Sequence, residues 1–401
     1  MPRPYIDFAI ALTKEASFLD AERLPGYSTP TMEVPPGVDG TDDLAVIGQQ
    51  LLDWYEKHRR DLPWRHTQDP YAIWVAEIML QQTRVETVLA YFERFMSRFP
   101  TLQAVAEAPL DDILKAWEGL GYYARARNLH KAARQVVHEL NGHLPPTPAA
   151  LLHLPGVGQY TAAAIASIAF GYDAVALDGN LRRVLCRIFA IDDDPGRPNT
   201  QRWLGKLALA MLPPGRAADF NQALMDLGAA VCTPTTPRCL LCPITMRCQA
   251  HQEGIQNELP ICATRAKRPH RDVTAGVIWD GNGHLLITQR PLDSMLGGLW
   301  EFPGGKRRPR EALPECLHRE IVEELAMEIQ IRELLCTIEH AFTHFQMTLY
   351  AYDCLWLENQ PQCLGCKDLR WVTLDQLDAF AFPVADQKII AFLRGQGPAY
   401  G

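Results

Sequence analysis

Residues 232–248 read CTPTTPRCLLCPITMRC, so that Cys232, Cys239, Cys242 and Cys248 have six, two and five residues between them. Four thiolates this close along one loop crowd negative charge together unless an iron–sulfur core or zinc neutralises it, and the stretch reads as a metal cage. The uneven spacing departs from the paired C-x2-C…C-x2-C of a zinc ribbon. A [4Fe–4S] cluster is the first choice, zinc the second, and disulfides a distant third. Pro234, Pro237 and Pro243 remove backbone donors and forbid a long helix, which predicts a tight ligand loop closing a larger domain.

Working outward, residues 44–250 carry apolar side chains three and four apart in LAVIGQQLLDWYEKH, YAIWVAEIMLQQT, VETVLAYFERFMSRF, LDDILKAWEGL, ARARNLHKAARQVVHEL and YTAAAIASIAF, with Gly and Pro between. That period predicts an all-α domain. Residues 1–43, rich in Pro, Gly and acid without a sustained apolar period, are expected to be a loosely packed extension. A polar stretch ending in the basic ATRAKRPHR makes 251–271 a linker. Beyond it, 272–401 combines strand-like TAGVIWD, HLLITQR and MTLYAYDCLWL with the acidic helix CLHREIVEELAM, the pattern of an α+β domain.

A chain of 401 residues, 47% hydrophobic and 21% charged, is multidomain and globular. No apolar run reaches the length of about eighteen residues that a membrane span needs. The opening MPRPYIDFAIALTKE has too short an apolar stretch for a secretory signal, and the acid that follows argues against a transit peptide. Eleven cysteines, four of them caged and the rest scattered, suit a reducing cytoplasm. The net charge of −8 resides in the two ends of the chain, the middle being weakly basic. Charge by itself does not propose a nucleic-acid partner, yet it leaves the helical region free to present cations to phosphates.

Three features of the helical region carry chemistry. Leu154-Pro-Gly-Val-Gly158 lies between two apolar helical segments; it is either a plain turn or a nest of free N–H groups for a phosphate. Glu77 has Ile73, Trp74 and Leu80 as its neighbours three and four residues away, so it is buried, either paired with an arginine or with a pKa raised toward that of a general acid. Asp178, in ALDGN before the helix LRRVLCRIFA, reads as a helix cap.

Taken with the cysteine cage, these residues resemble the helix-hairpin-helix DNA glycosylases that carry an iron–sulfur loop, and WVAEIMLQQTRVETV, EGLGYYARARNLH and FNQALMDLGAAVCTPTTPRCLLCP are similar to the MutY family among them. The resemblance runs from about residue 44 nearly to the end. It implies a monofunctional adenine DNA glycosylase of base excision repair, acting as a monomer on double-stranded DNA with adenine opposite 8-oxoguanine or guanine. It makes Cys232, Cys239, Cys242 and Cys248 ligands of a [4Fe–4S] cluster, and Gly156 and Gly158 the DNA-binding hairpin. Glu77 then protonates N7 of adenine, Asp178 stabilises or traps the cationic sugar, and Asn180 helps hold it. Tyr160 stands where the lyase branch has lysine; a phenol cannot form the Schiff base that cuts a strand, and the guanidinium of Arg182 does not replace it. Gln82 and Tyr122 correspond to wedges that fill the gap left by a flipped base. Leu62, Trp64, Arg65 and Gln222 correspond to the adenine pocket.

In the C-terminal region Gly305-x5-Glu311-x7-Arg319-Glu320-Ile321-x-Glu323-Glu324-x-Ala326-Met327 resembles the Nudix box, with Ala326 where glycine is usual. Its carboxylates suit Mg²⁺, though the family resemblance implies a domain that recognises 8-oxoguanine without hydrolysis. Phe342-Thr343-His344 is similar to the loop that reads this lesion, usually Phe-Ser-His. Cys363 and Cys366 read as two free thiols. The competing functions are a strand-cutting lyase, a nucleotide-pool hydrolase, and a non-enzymatic DNA-binding redox sensor.

Overall fold

The structure, a computed structural model, describes residues 41–261 and 268–395. The expected N-terminal extension, up to residue 40, and the middle of the expected linker, 262–267, lie outside the described residues.

The helical region runs through α1 (Thr41–His58), α2 (Pro70–Leu80), α3 (Val85–Arg98), α4 (Leu102–Glu107), α5 (Leu110–Ala116), α6 (Ala124–Glu139), α7 (Pro148–Leu151), α8 (Gln159–Phe170), α9 (Gly179–Ile188), α10 (Pro198–Met211), α11 (Ala217–Ala230) and α12 (Gln249–Gln252). Helix α2 is apolar nearly all round and buried, as such a helix must be. Asp69 caps it by accepting from Tyr71 N at 3.0 Å, and Pro70 occupies its first turn, where a missing N–H costs nothing. Its Trp74 packs in the main core with Phe95, Trp117, Leu129 and Ile165.

Two boundaries differ from expectation. Helix α1 begins at Thr41, inside the range assigned to the extension. Residues 251–261 are not a linker but part of the helical region: Leu259 is buried, and the Arg187 Nε donates to its carbonyl at 2.9 Å. The polar composition of that stretch conceals one apolar anchor, Leu259, whose carbonyl meets the buried guanidinium of Arg187 on α9.

The α+β region contains β1 (His270–Trp279), β2 (Leu285–Gln289), β3 (Trp300–Glu301), α13 (Leu313–Leu325), β4 (Glu328–Ala341), β5 (Gln346–Glu358), β6 (Asp368–Val372) and α14 (Val384–Leu393). Among the described residues the strands form one sheet in the order β3-β2-β1-β5-β4, with β6 also on β2; β1 and β5 run parallel and the other pairs antiparallel. Helix α13 covers one part of the sheet through Leu317, Ile321 and Leu325, and α14 another through Ile389 and Ile390. Strand β4 was not anticipated. Register shifts against β5 at three places break its alternation, and much of it is exposed.

The sheet region docks on α5 and α6. Leu299 and Ala381 join the same apolar cluster as Leu114 and Trp117. Lys115 Nζ donates to the carbonyl of Phe380 at 2.8 Å, Phe382 N donates to Glu118 at 2.8 Å, and Arg127 donates to the carbonyl of Gly297 at 2.7 Å. This docking brings the β4–β5 turn against Tyr122 of the helical region.

Candidate active site

Glu77 is 4% exposed on α2. Burial pushes its carboxyl up to about 7, with the nearby Asp178 adding to the rise and the Tyr160 hydroxyl opposing it by donating to Oε2 at 2.9 Å. Tyr160, on the first turn of α8, is held well above the ordinary tyrosine value, first by its own burial and then by Glu77 and Asp178. The arginine-paired alternative for Glu77 is therefore not realised; its hydrogen-bonding partner is a phenol.

Asp178 is the N-cap of α9: Oδ1 accepts from Leu181 N at 2.7 Å and Oδ2 from Asn180 Nδ2 at 3.1 Å. Burial raises its pKa, while the Leu181 and Asn180 donors and the charge of Arg183 restrain the rise. Cap and catalytic carboxylate are compatible roles here. Asn221, buried on α11, holds the segment leading to Asp178 by accepting from Ala176 N at 3.0 Å and donating to Ala174 O at 2.8 Å.

A recess opens beside Glu77, lined by Leu62, Trp64, Arg65 and Gln222 together with Ile73, Leu80, Val85, Ile168 and Met225. All four residues expected to form a pocket thus meet at the acid. Ile168 and Met225 escaped sequence reading because an apolar residue at helical spacing carries no sign of whether it faces core or cavity. Asp226 also went unnoticed. It accepts two hydrogen bonds from Arg65 at 2.8 and 2.9 Å and one from Arg60 Nε at 2.6 Å, fixing Arg65 at the rim. Burial would raise the Asp226 carboxyl, but these guanidiniums outweigh it and hold it below the ordinary value.

Of the residues expected to contact DNA, Gln82 follows α2, and Gly156 and Gly158 precede α8. Gly156 has φ +77°, and a Cβ there would lie 2.6 Å from the Cβ of Asn128, so glycine is required twice over. Gly158 is the N-cap of α8 and leaves that helix's first N–H groups open. Gln82 and Tyr122 both adopt left-handed backbone, at φ +58° and +49°. The Tyr122 hydroxyl shares a 2.7 Å hydrogen bond with Thr343 Oγ1 in the β4–β5 turn. Phe342 stacks on Phe345 within that turn, and His344 is exposed.

The four cysteines line one recess with Arg187, Thr245, His251 and Gln256. Burial, together with neighbouring thiols, pushes Cys242 up to about 12 and Cys248 to about 11, so bare thiolates are disfavoured without a cationic centre. Among the described residues no three His, Cys, Asp or Glu side chains stand close enough to hold a single metal ion. Four thiols facing one recess are the donor set that an iron–sulfur cluster takes. Helix α9 ties this loop to the site: Arg183 donates to Asn180 Oδ1 at 3.0 Å and to the Cys232 carbonyl at 3.0 Å, and Arg187 donates to the carbonyls of Thr233 at 2.6 Å and Pro234 at 2.9 Å.

In the Nudix-like box, Arg319 binds Glu311 at 2.6 and 3.0 Å, Glu320 at 2.8 Å and Glu323 at 3.1 Å. Three of its carboxylates are thus committed to a guanidinium. Ala326 takes φ +52° as the C-cap of α13, a left-handed position that costs a residue with a Cβ about 1 kcal/mol and that glycine would relieve.

A family model described as the HhH-GPD superfamily base excision DNA repair protein matches residues 75–208, and a NUDIX domain model matches 274–392. The adenine DNA glycosylase of Homo sapiens is 37% identical over 412 residues, covering 89% of this chain and 75% of the human one. That of Schizosaccharomyces pombe is 32% identical over 399 residues, covering 82% and 85%. A solved thermostable thymine-DNA glycosylase is 32% identical, with a TM-score of 0.49 over 54% of this chain and all of its own.

Proposed function

Because this chain belongs to the adenine DNA glycosylase family, the MutY family of base excision repair enzymes, we propose that it excises adenine mispaired with 8-oxoguanine or guanine as a monofunctional hydrolase, leaving an intact abasic site. The observation that carries this reading is the hydrogen bond from Tyr160 to a Glu77 carboxyl raised to about 7. A carboxyl protonated near neutrality beside a recess suits a general acid, and a phenol cannot supply the amine that a strand-cutting enzyme needs.

Adenine within a duplex is out of reach, so the target nucleotide turns out of the stack, with Gln82 and Tyr122 filling the gap. The base enters the recess bounded by Leu62, Trp64, Arg65 and Gln222. Glu77 protonates N7, the bond from C1′ to N9 breaks with its electron pair leaving on adenine, and the Asp178 carboxylate stabilises the cationic sugar until water adds at C1′. Two carboxyls kept in different protonation states across a glycosidic bond follow the logic of sugar hydrolases. The hydrogen bond between Tyr122 and Thr343 supports 8-oxoguanine recognition by Phe342, Thr343 and His344, since it joins that turn to a residue at the lesion.

Cys232, Cys239, Cys242 and Cys248 would hold a [4Fe–4S] cluster that, when bound, supplies cross-linking of the loop and no acid, base or nucleophile. Arg183 and Arg187 pass that rigidity to α9 and so to Asp178. Cys239→Ser is expected to reduce folding yield and DNA affinity more than the chemical step; cluster absorbance lost with unchanged DNA binding would contradict it.

The test of function is single-turnover adenine release from duplexes with adenine opposite 8-oxoguanine, guanine or thymine. Release is expected to be fastest opposite 8-oxoguanine, without strand scission or a borohydride-trapped adduct. No release from the first duplex sinks the reading, and scission at the excision rate sinks its monofunctional part.

A further inference from the structure

Arg125, on α6, is 9% exposed, and its guanidinium meets carbonyls where a buried cation ordinarily meets a carboxylate. Nη1 donates to the carbonyls of Ile78 at 2.9 Å, Met79 at 2.8 Å and Gln81 at 2.6 Å. Nη2 donates to the carbonyls of Gly121 at 3.0 Å and Leu120 at 3.3 Å, and to Thr83 Oγ1 at 3.2 Å. The first three acceptors are at the C-terminus of α2, where carbonyls lack helical partners and the helix dipole favours a positive charge. The next two belong to the turn between α5 and α6. The ring of Trp117 lies 5.5 Å from the guanidinium carbon and that of Tyr122 5.4 Å, closing the cage around it.

The carbonyl of Gln81 belongs to the peptide unit that leads into Gln82, and the carbonyl of Gly121 to the unit that leads into Tyr122. Rotation of each wedge residue about its own N–Cα bond is therefore set relative to a peptide plane that Arg125 holds. Both residues take the positive φ that side-chain-bearing residues rarely adopt. Such a conformation persists only where the surroundings over-determine it. We propose that Arg125 is the positioning residue that sets Gln82 and Tyr122 together, with the α2 turn after Glu77, so that one planar group coordinates gap filling with the placement of the acid. Lysine does not substitute, since an ammonium has three donors on one atom and cannot span two carbonyl sets.

This inference rests on Gln82 and Tyr122 acting as wedges. The test uses the full chain with Arg125→Ala, Arg125→Lys and Gln82→Ala, a 2-aminopurine probe next to the target adenine to report unstacking, and single-turnover adenine release. Arg125→Ala is expected to lose both the fluorescence rise and adenine release by on the order of 10²-fold. Millimolar guanidinium chloride should restore part of each, whereas sodium chloride at equal ionic strength should not. Arg125→Lys is expected to be folded and impaired; if Arg125→Ala does not fold, the lysine variant carries the test. Unstacking at the wild-type rate in a folded Arg125 variant overturns the proposal, as does a loss that tracks only the unfolded fraction and ignores guanidinium. If Gln82→Ala unstacks the base normally, the wedge reading has failed; if Gln82→Ala is impaired and Arg125→Lys is not, the positioning role has.

Discussion

Asp178→Asn is expected to lower single-turnover adenine release by on the order of 10³-fold, the scale at which removing aligned electrostatic stabilisation acts. The substitution keeps size and most of the cap, because an amide oxygen still accepts from Leu181 N. What disappears is the negative charge beside C1′ as the sugar becomes cationic. A smaller structural cost follows from Asn180, whose amide now donates to Asp178 Oδ2 and would face a second amide, worth roughly 1 kcal/mol. Folding measured by circular dichroism should therefore hardly change while release fails. Release near the wild-type rate would remove Asp178 from the mechanism and leave it a helix cap.

Glu77→Gln is expected to lower release by roughly 10² to 10⁴-fold, the usual contribution of a positioned acid. Its pH dependence separates acid from scaffold. With a carboxyl at about 7, the wild-type chemical step should fall as pH rises through 7, because the proton to be donated is gone, and the glutamine variant should lack that limb. Stability moves in the same direction. The carboxyl lies at about 7 in the fold against an ordinary 4.5, so the folded state binds this proton more tightly. Its stabilising contribution is complete below about 4.5 and is lost as pH rises through about 7. Above that, Glu77 costs roughly 3 kcal/mol relative to a neutral isostere. Glu77→Gln should thus be the more thermostable protein at pH 8 and lose that advantage near pH 4; equal melting at both pH values would mean that the carboxyl is not desolvated.

The elements easiest to read were those in which local pattern and tertiary demand agree. Helix α2 announces itself by its apolar run and its Asp-Pro start, and Glu77 stands out as the one acid within it. The cysteine loop is legible because ligand spacing is a local property, and the left-handed Gly156 because two glycines flank one residue in LPGVG. The recess was half legible. Leu62, Trp64, Arg65 and Gln222 came from resemblance, whereas Ile168 and Met225 have side chains that fit a core equally well. Strand β4 was missed because its bulges spoil the two-residue period, and the end of the helical region was misplaced because a single buried leucine does not make a pattern.

By itself the sequence determined the helical and α+β regions and the close spacing of four thiols along one loop, which are matters of residue type and spacing that short-range physics decides; the roles expected of the two carboxylates and the phenol came from the family resemblance. Tertiary structure alone decided that the Tyr160 hydroxyl, not an arginine, donates a hydrogen bond to Glu77, that Asp226 anchors Arg65, that Thr343 meets Tyr122, and that Arg125 gathers two distant carbonyl sets. Each joins residues far apart in the chain through a buried polar group that must find a partner once water is excluded. Which partner it finds depends on how the helices pack, and no local pattern records that.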